Sequence, residues 1–208
     1  MSNKSPELND AAEQGYFWIK FLTATVTFAC LCFGRWIVVQ LAALRLALRG
    51  IDVAEVPDGN FVERSDAQRE LLTALASEYY NTVFVYGQRG SGKTSLIQHA
   101  LKGEWGVLEI KVLALTGEAA STEFIAELSS ELDIFSSPEK DKKFVQDVFA
   151  ACWISPVVVV SLEPRCTGEV LEAVLTMCKI LCYERRFRTT ARFVVNLSGS
   201  RAAIDSSI

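Results

Sequence analysis

The stretch "TVFVYGQRGSGKTSLIQHAL", Thr82 to Leu101, carries the most information about the fold. Thr82–Tyr86 is a short run of β-branched and aromatic residues bounded by glycine, which reads as a buried strand. Gly92–Leu101 reads as a helix. Between them, Gly87, Gln88, Arg89, Gly90, Ser91, Gly92, Lys93 and Thr94 fit the pattern G-x-x-x-x-G-K-[ST] without a mismatch. Each residue type has a physical reason. Glycines let a loop wrap closely round anionic oxygens and adopt backbone angles closed to other residues. Loop N–H groups and a helix N-terminus together form an anion site. Lys93 adds a cation where β- and γ-phosphates would lie, Thr94 offers a hydroxyl to a divalent ion, and Ser95 follows on the same first turn. A simple glycine-rich turn leaves the Lys-Thr pair at the helix start unexplained.

Outward from this stretch, helices and strands alternate. Helices are expected over Asp66–Tyr79, Thr122–Leu132, Lys142–Cys152 and Gly168–Tyr183. Strands are expected over Val107–Leu113, Pro156–Ser161 and Arg192–Leu197. Such alternation predicts an α/β fold with a mostly parallel sheet covered by helices on both faces, a three-layer α/β/α sandwich. No internal repeat interrupts it.

The segment "FVERSDAQRELLTALASEYYNTVFVYGQRGSGKTSLIQHAL" resembles the start of the AAA+ and STAND-type P-loop ATPases, in which a short F-V-x-R segment and a helix precede the phosphate loop. The resemblance covers about residues 60–204. It implies ATP and Mg²⁺ as ligands, with Thr94 as the metal ligand. It also implies action as a switch or motor, as a homo-oligomer or with a protein partner. It places Phe61 and Val62 near the adenine. It further leads one to expect an apolar strand ending in an aspartate that holds Mg²⁺ and a glutamate that polarises water. Here that strand reads Val157 to Val160, then Ser161, Leu162 and Glu163, so serine stands where the aspartate is expected. Side chains alternate along a strand, so Glu163 would point the same way as Ser161. It is the candidate catalytic carboxylate, or else an exposed strand-end residue. On the next strand Asn196, and after it Ser198, match the polar residue that meets the γ-phosphate or the water; a strand-capping turn residue is the plainer alternative. Arg201 is a candidate for reaching a neighbouring subunit's phosphate. Lys93, Glu163 and Asn196 are thus the catalytic candidates. The resemblance also predicts a fifth strand and a helical lid, which the sequence to Ile208 does not supply. Two functions follow as expectations: ATP hydrolysis driving a conformational change, or a nucleotide-dependent switch or interaction module that does not hydrolyse. No guanine-specificity segment of the N/TKxD kind occurs, which favours ATP over GTP.

The N-terminal part reads differently. Residues 1–15 are polar and acidic, and disorder is expected there. Residues 16–49 contain an uncharged apolar run from Phe21 to Gly34 and a second from Trp36 to Leu44, with Lys20 and Arg35 placed to snorkel. Tyr16, Trp18 and Trp36 fall where interfacial aromatics would lie. A single-pass membrane helix over 16–39, continued as a juxtamembrane helix to Arg49, is therefore expected; a buried or interfacial helix is the alternative. Arg35, Arg45 and Arg49 follow the run and acids precede it, which places the C-terminal domain on the cytosolic (or mitochondrial matrix) side. Residues 50–60, with Pro57, Asp58, Gly59 and Asn60, read as a linker, and 61–208 as the ATPase domain.

The net charge is −4, which gives no electrostatic footprint for nucleic acid. The cluster Arg185, Arg186, Phe187 and Arg188 has the composition to meet anionic lipid headgroups or nucleic acid, but it follows a predicted helix C-terminus, where the dipole alone favours cations, and that is the preferred reading. The six cysteines have no framework spacing and read as reduced thiols. Cys178 and Cys182 share a helix face and, with Cys166 or His99, would suggest zinc; two small core residues is the preferred reading.

Overall fold

The computed structural model describes residues 6–51, 64–77, 82–132, 142–162, 166–182 and 191–198. Its elements run α1 (Pro6–Ala47), α2 (Ser65–Ala76), β1 (Thr82–Gly87), α3 (Lys93–Ala100), β2 (Val107–Val112), α4 (Gly117–Leu132), α5 (Lys142–Ala151), β3 (Val157–Leu162), α6 (Gly168–Cys182) and β4 (Arg192–Ser198). The chain divides into two units, Met1–Val38 and Val39–Ile208.

In the first unit α1 begins at Pro6, ten residues before the expected start at Tyr16. Proline is well suited to a first helical turn. Once the apolar run has nucleated a helix, each added residue gains a hydrogen bond without a second nucleation cost. Along α1 the side chains of Trp18, Phe21, Leu22, Val26, Phe28, Phe33 and Trp36 are exposed. Thr23, Thr25 and Thr27 each donate their hydroxyl to the carbonyl four residues earlier, and Lys20 lies 4.7 Å above the Tyr16 ring. Among the described residues one helix, Trp18–Ala47, is long and apolar enough to cross a membrane, with a mean hydropathy of 1.7. A soluble core helix and a signal sequence can share that length and composition.

The second unit is built on a four-stranded, all-parallel sheet in the order β1-β4-β3-β2. The central strands β3 and β4 bury both faces, whereas β1, expected from sequence to be buried, is an edge strand with Phe84 and Tyr86 exposed. One face (Leu108, Ile110, Val158, Val160, Phe193, Val195) packs on α4, α5 and α6. There Phe193 meets Phe124 and Phe149 with ring centroids 6.2 and 6.5 Å apart. The other face (Val107, Val159, Val194) packs on Leu71 and Leu75 of α2 and Ile97 and Leu101 at the end of α3. Cys178 and Cys182 are buried in the first of these cores. No group of three potential metal ligands occurs among the described residues.

The boundary between the units is a second difference from the sequence reading. Val39, the last residue of the expected membrane helix, and Ala42, Ala43 and Leu46 of the expected juxtamembrane stretch join the core of the α/β unit. Arg49 then pairs with Glu131 at 2.6 Å, and its carbonyl accepts hydrogen bonds from the N–H groups of Gly106 and Val107. The Cys152 thiol donates to the Ala43 carbonyl. The compact unit therefore starts at Val39, not at residue 61. Hydropathy cannot separate a lipid-facing helix turn from a core-facing one, since both are apolar.

A smaller shift concerns α4, which starts at Gly117 rather than Thr122. A Cβ at Gly117 would lie 3.0 Å from the Glu169 carbonyl oxygen. The glycine that reads as a break in the sequence is what allows the starts of α4 and α6 to approach.

Candidate functional site

The sheet order fixes where a site can form. From β1 the chain crosses to the far edge strand β2, then returns through β3 to β4 beside β1. The helix after β1 covers one face of the sheet, while those after β2 and β3 cover the other. Diverging connections of this kind open a crevice at the carboxyl ends of parallel strands, the usual ligand position in open α/β sheets. The glycine-rich loop lies there, between β1 and α3.

Within the loop, Ser91 N–H donates to the Gln88 carbonyl at 3.2 Å. Gly90 and Gly92 have φ of 78° and 79°, angles that cost other residues about 1–2 kcal/mol. Gly92 is the N-cap of α3 and supplies no side chain to cap it. The first-turn N–H groups therefore face the crevice side of the loop without a built-in acceptor. Lys93, 8% exposed, curls back into the loop. Its Nζ donates to the carbonyls of Gly87 (2.9 Å) and Gln88 (2.8 Å), with Ser91 Oγ at 3.5 Å. Burial lowers its pKa, and these acceptors offset part of the cost of holding the ammonium out of water. Gln88, Arg89, Gly90 and Thr94 are exposed; Gly87, Ser91 and Ser95 are half-buried.

Parallel pairing places Val85, Asn196, Ser161 and Lys111 in one row across the sheet near the strand ends. Asn196 is 6% exposed. Its Nδ2 donates to Thr94 Oγ1 at 3.2 Å and, more weakly, to Ser161 Oγ at 3.5 Å. Its Oδ1 is buried with no partner among the described residues. A buried amide oxygen without a donor costs about 1–3 kcal/mol, so this atom points to a donor that the described fold does not itself provide.

Four residues singled out from sequence, Lys93, Thr94, Ser161 and Asn196, thus come together from β1–α3, β3 and β4. Ser198 is in register with Gly87 through its backbone. Glu163, Phe61, Val62, Arg201 and the cluster 185–188 lie outside the described residues. Lys111, exposed and in register with Ser161, is absent from the sequence reading. Its only trace there is a charge within the apolar strand VLEIKV, and nothing in that strand tells which partner it faces. No protein-family model matches the chain, and no curated protein matches it.

Proposed function

We propose that the chain binds ATP in the loop between β1 and α3 and acts as a membrane-anchored, nucleotide-dependent switch of the AAA+/STAND type. The observation that carries this reading is the convergence of Lys93, Thr94 and the unpaired amide oxygen of Asn196 at an uncapped helix N-terminus. Backbone N–H groups and Lys93 would hold the phosphates. The Thr94 and Ser161 hydroxyls would meet the terminal phosphoryl group, and the Asn196 amide oxygen would accept from a water beside it, so the presence or absence of that group would be felt directly by β3 and β4.

The anchor is α1. Its apolar stretch from Trp18 to Val38 spans roughly 30 Å at 1.5 Å per residue, the thickness of a bilayer core. The threonine hydroxyls of this stretch are satisfied within the helix, as lipid requires. The exposed large apolar side chains described on it, from Trp18 to Phe28 and from Phe33 to Ile37, form more apolar surface than soluble monomers usually show. Arg45 and Arg49 then favour a cytosol-facing (or matrix-facing) α/β unit.

Hydrolysis is the second reading. It is favoured by the Asn196 amide, whose unpaired atom is positioned to hold a water near the terminal phosphate, and it would assign Glu163 as the general base. Equilibrium binding of a fluorescent ATP analogue to the full chain in detergent tests the main reading, with Lys93→Ala as the blank. Equal signals from the two proteins would sink it. Phosphate release that is lost in Glu163→Gln while binding persists would establish the hydrolytic reading.

A further inference from the structure

The row at the strand ends poses a question of charge. In Asn196, Ser161 and Lys111 it presents an amide, a hydroxyl and an ammonium. Glu109 shares the same face of β2 but sits one row toward the amino ends, opposite Val159. Lys111 has no ion pair among the described residues. Magnesium is a hard cation that is usually held through one or two carboxylates together with phosphate oxygens. Among the described residues this row holds no carboxylate, and two hydroxyls and one amide oxygen beside a lysine fit the ion poorly: the neutral oxygens are weak ligands and the ammonium repels it. The two hydroxyls and the ammonium suit a phosphoryl group, which accepts hydrogen bonds from each of them, while the Asn196 amide oxygen would accept from a water beside it.

Resting on the nucleotide-binding reading, we propose that Lys111 takes the place of the divalent ion, so that the site holds a nucleoside triphosphate without Mg²⁺. Cross-strand neighbours in a parallel sheet lie about 4.8 Å apart, and the four-carbon lysine stem is long enough to carry Nζ over Ser161. A terminal phosphoryl group above Ser161 and Asn196 would then lie between Lys93 from the loop and Lys111 from the sheet. The two ammonium groups supply the charge that a metal would otherwise supply. Lys111 is exposed, so the entering group need not displace a packed side chain.

The test is titration of a fluorescent ATP analogue into the full chain in neutral detergent, at matched ionic strength, with Mg²⁺ or with EDTA. The wild type is expected to bind in EDTA within about threefold of its affinity in Mg²⁺, a difference under about 0.7 kcal/mol. Lys111→Ala is expected to lose about tenfold or more in EDTA and to regain part of it when Mg²⁺ is added. Lys111→Arg keeps the charge and should bind as the wild type does. Ser161→Asp should convert the site to Mg²⁺-dependent binding. A Lys111→Ala protein with unchanged affinity in EDTA would overturn the proposal. So would a wild type that binds only with Mg²⁺, which would point to a carboxylate such as Glu163. A wild type that binds in neither buffer would instead overturn the nucleotide-binding reading, and this proposal with it.

Discussion

Leu46→Ala separates a core-packed end of α1 from a lipid-facing one. Leu46 is 1% exposed and sits in the core cluster with Val39, Ala42 and Ala43. The change removes three carbon atoms, a transfer loss of about 2.4 kcal/mol at about 0.8 kcal/mol per methylene. The cavity left behind brings the expected cost to about 3–4 kcal/mol, inside the range for buried Leu→Ala changes. Leu44 and Leu48 are neighbours on the same helix end but stand 41% and 54% exposed. Alanine at either should change stability by no more than about 0.5–1 kcal/mol. The assay is urea unfolding of the full chain in detergent, followed by far-UV circular dichroism. With a slope of about 2 kcal/mol/M, Leu46→Ala should lower the midpoint by about 1.5–2 M, while the other two shift it by under about 0.5 M. Equal shifts for Leu46→Ala and Leu44→Ala would refute the assignment of this turn to the α/β core. A preparation that begins at residue 51 lacks all of these side chains and should be less stable than one that begins at Val39.

Gly92→Ala meets no atom within 4 Å of its Cβ, so its cost is the backbone conformation alone, about 1–2 kcal/mol. A thermal melt should show this loss, with ATP-analogue binding weakened in parallel and Gly92→Asn recovering part of both. Burial pushes the Cys152 thiol up from 9.0 to about 11. The folded thiol therefore stays protonated while the unfolded one ionises above pH 9. Its stabilising contribution is complete below pH 9 and is lost as pH rises toward 11. Urea midpoints measured across that window should fall less steeply for Cys152→Ala than for the wild type. Burial likewise raises Cys178, and raises Cys182 to about 12. Alkylation of these two thiols at pH 8 should proceed only in urea. Finally, the full chain should remain with membranes after alkaline carbonate extraction and be released when residues 16–38 are deleted; release of the intact chain would contradict the anchor.

The order of elements was legible from local pattern alone. The apolar runs at Val157–Leu162 and Arg192–Ser198 read as strands buried on both faces, and the alternation in Val107–Val112 reads as a strand buried on one. The loop before Lys93 carries its glycines where positive φ is needed. Lys93, Thr94 and Asn196 could be picked out because their chemistry is tied to a motif or to a strand end. Local pattern does not encode which strand lies beside which. Hydrogen bonding between parallel strands is nearly blind to side-chain identity, so the order β1-β4-β3-β2 and the register that sets Asn196 beside Ser161 and Ser161 beside Lys111 come from packing both sheet faces at once. The same holds for α1. Its composition declares a long apolar helix, but an apolar side chain is stabilised equally by lipid and by a protein core. Only the fold shows that Leu46 is packed in the core of the α/β unit. The sequence determined which residues can meet an anion and which must leave water; the tertiary structure decided which of them meet each other.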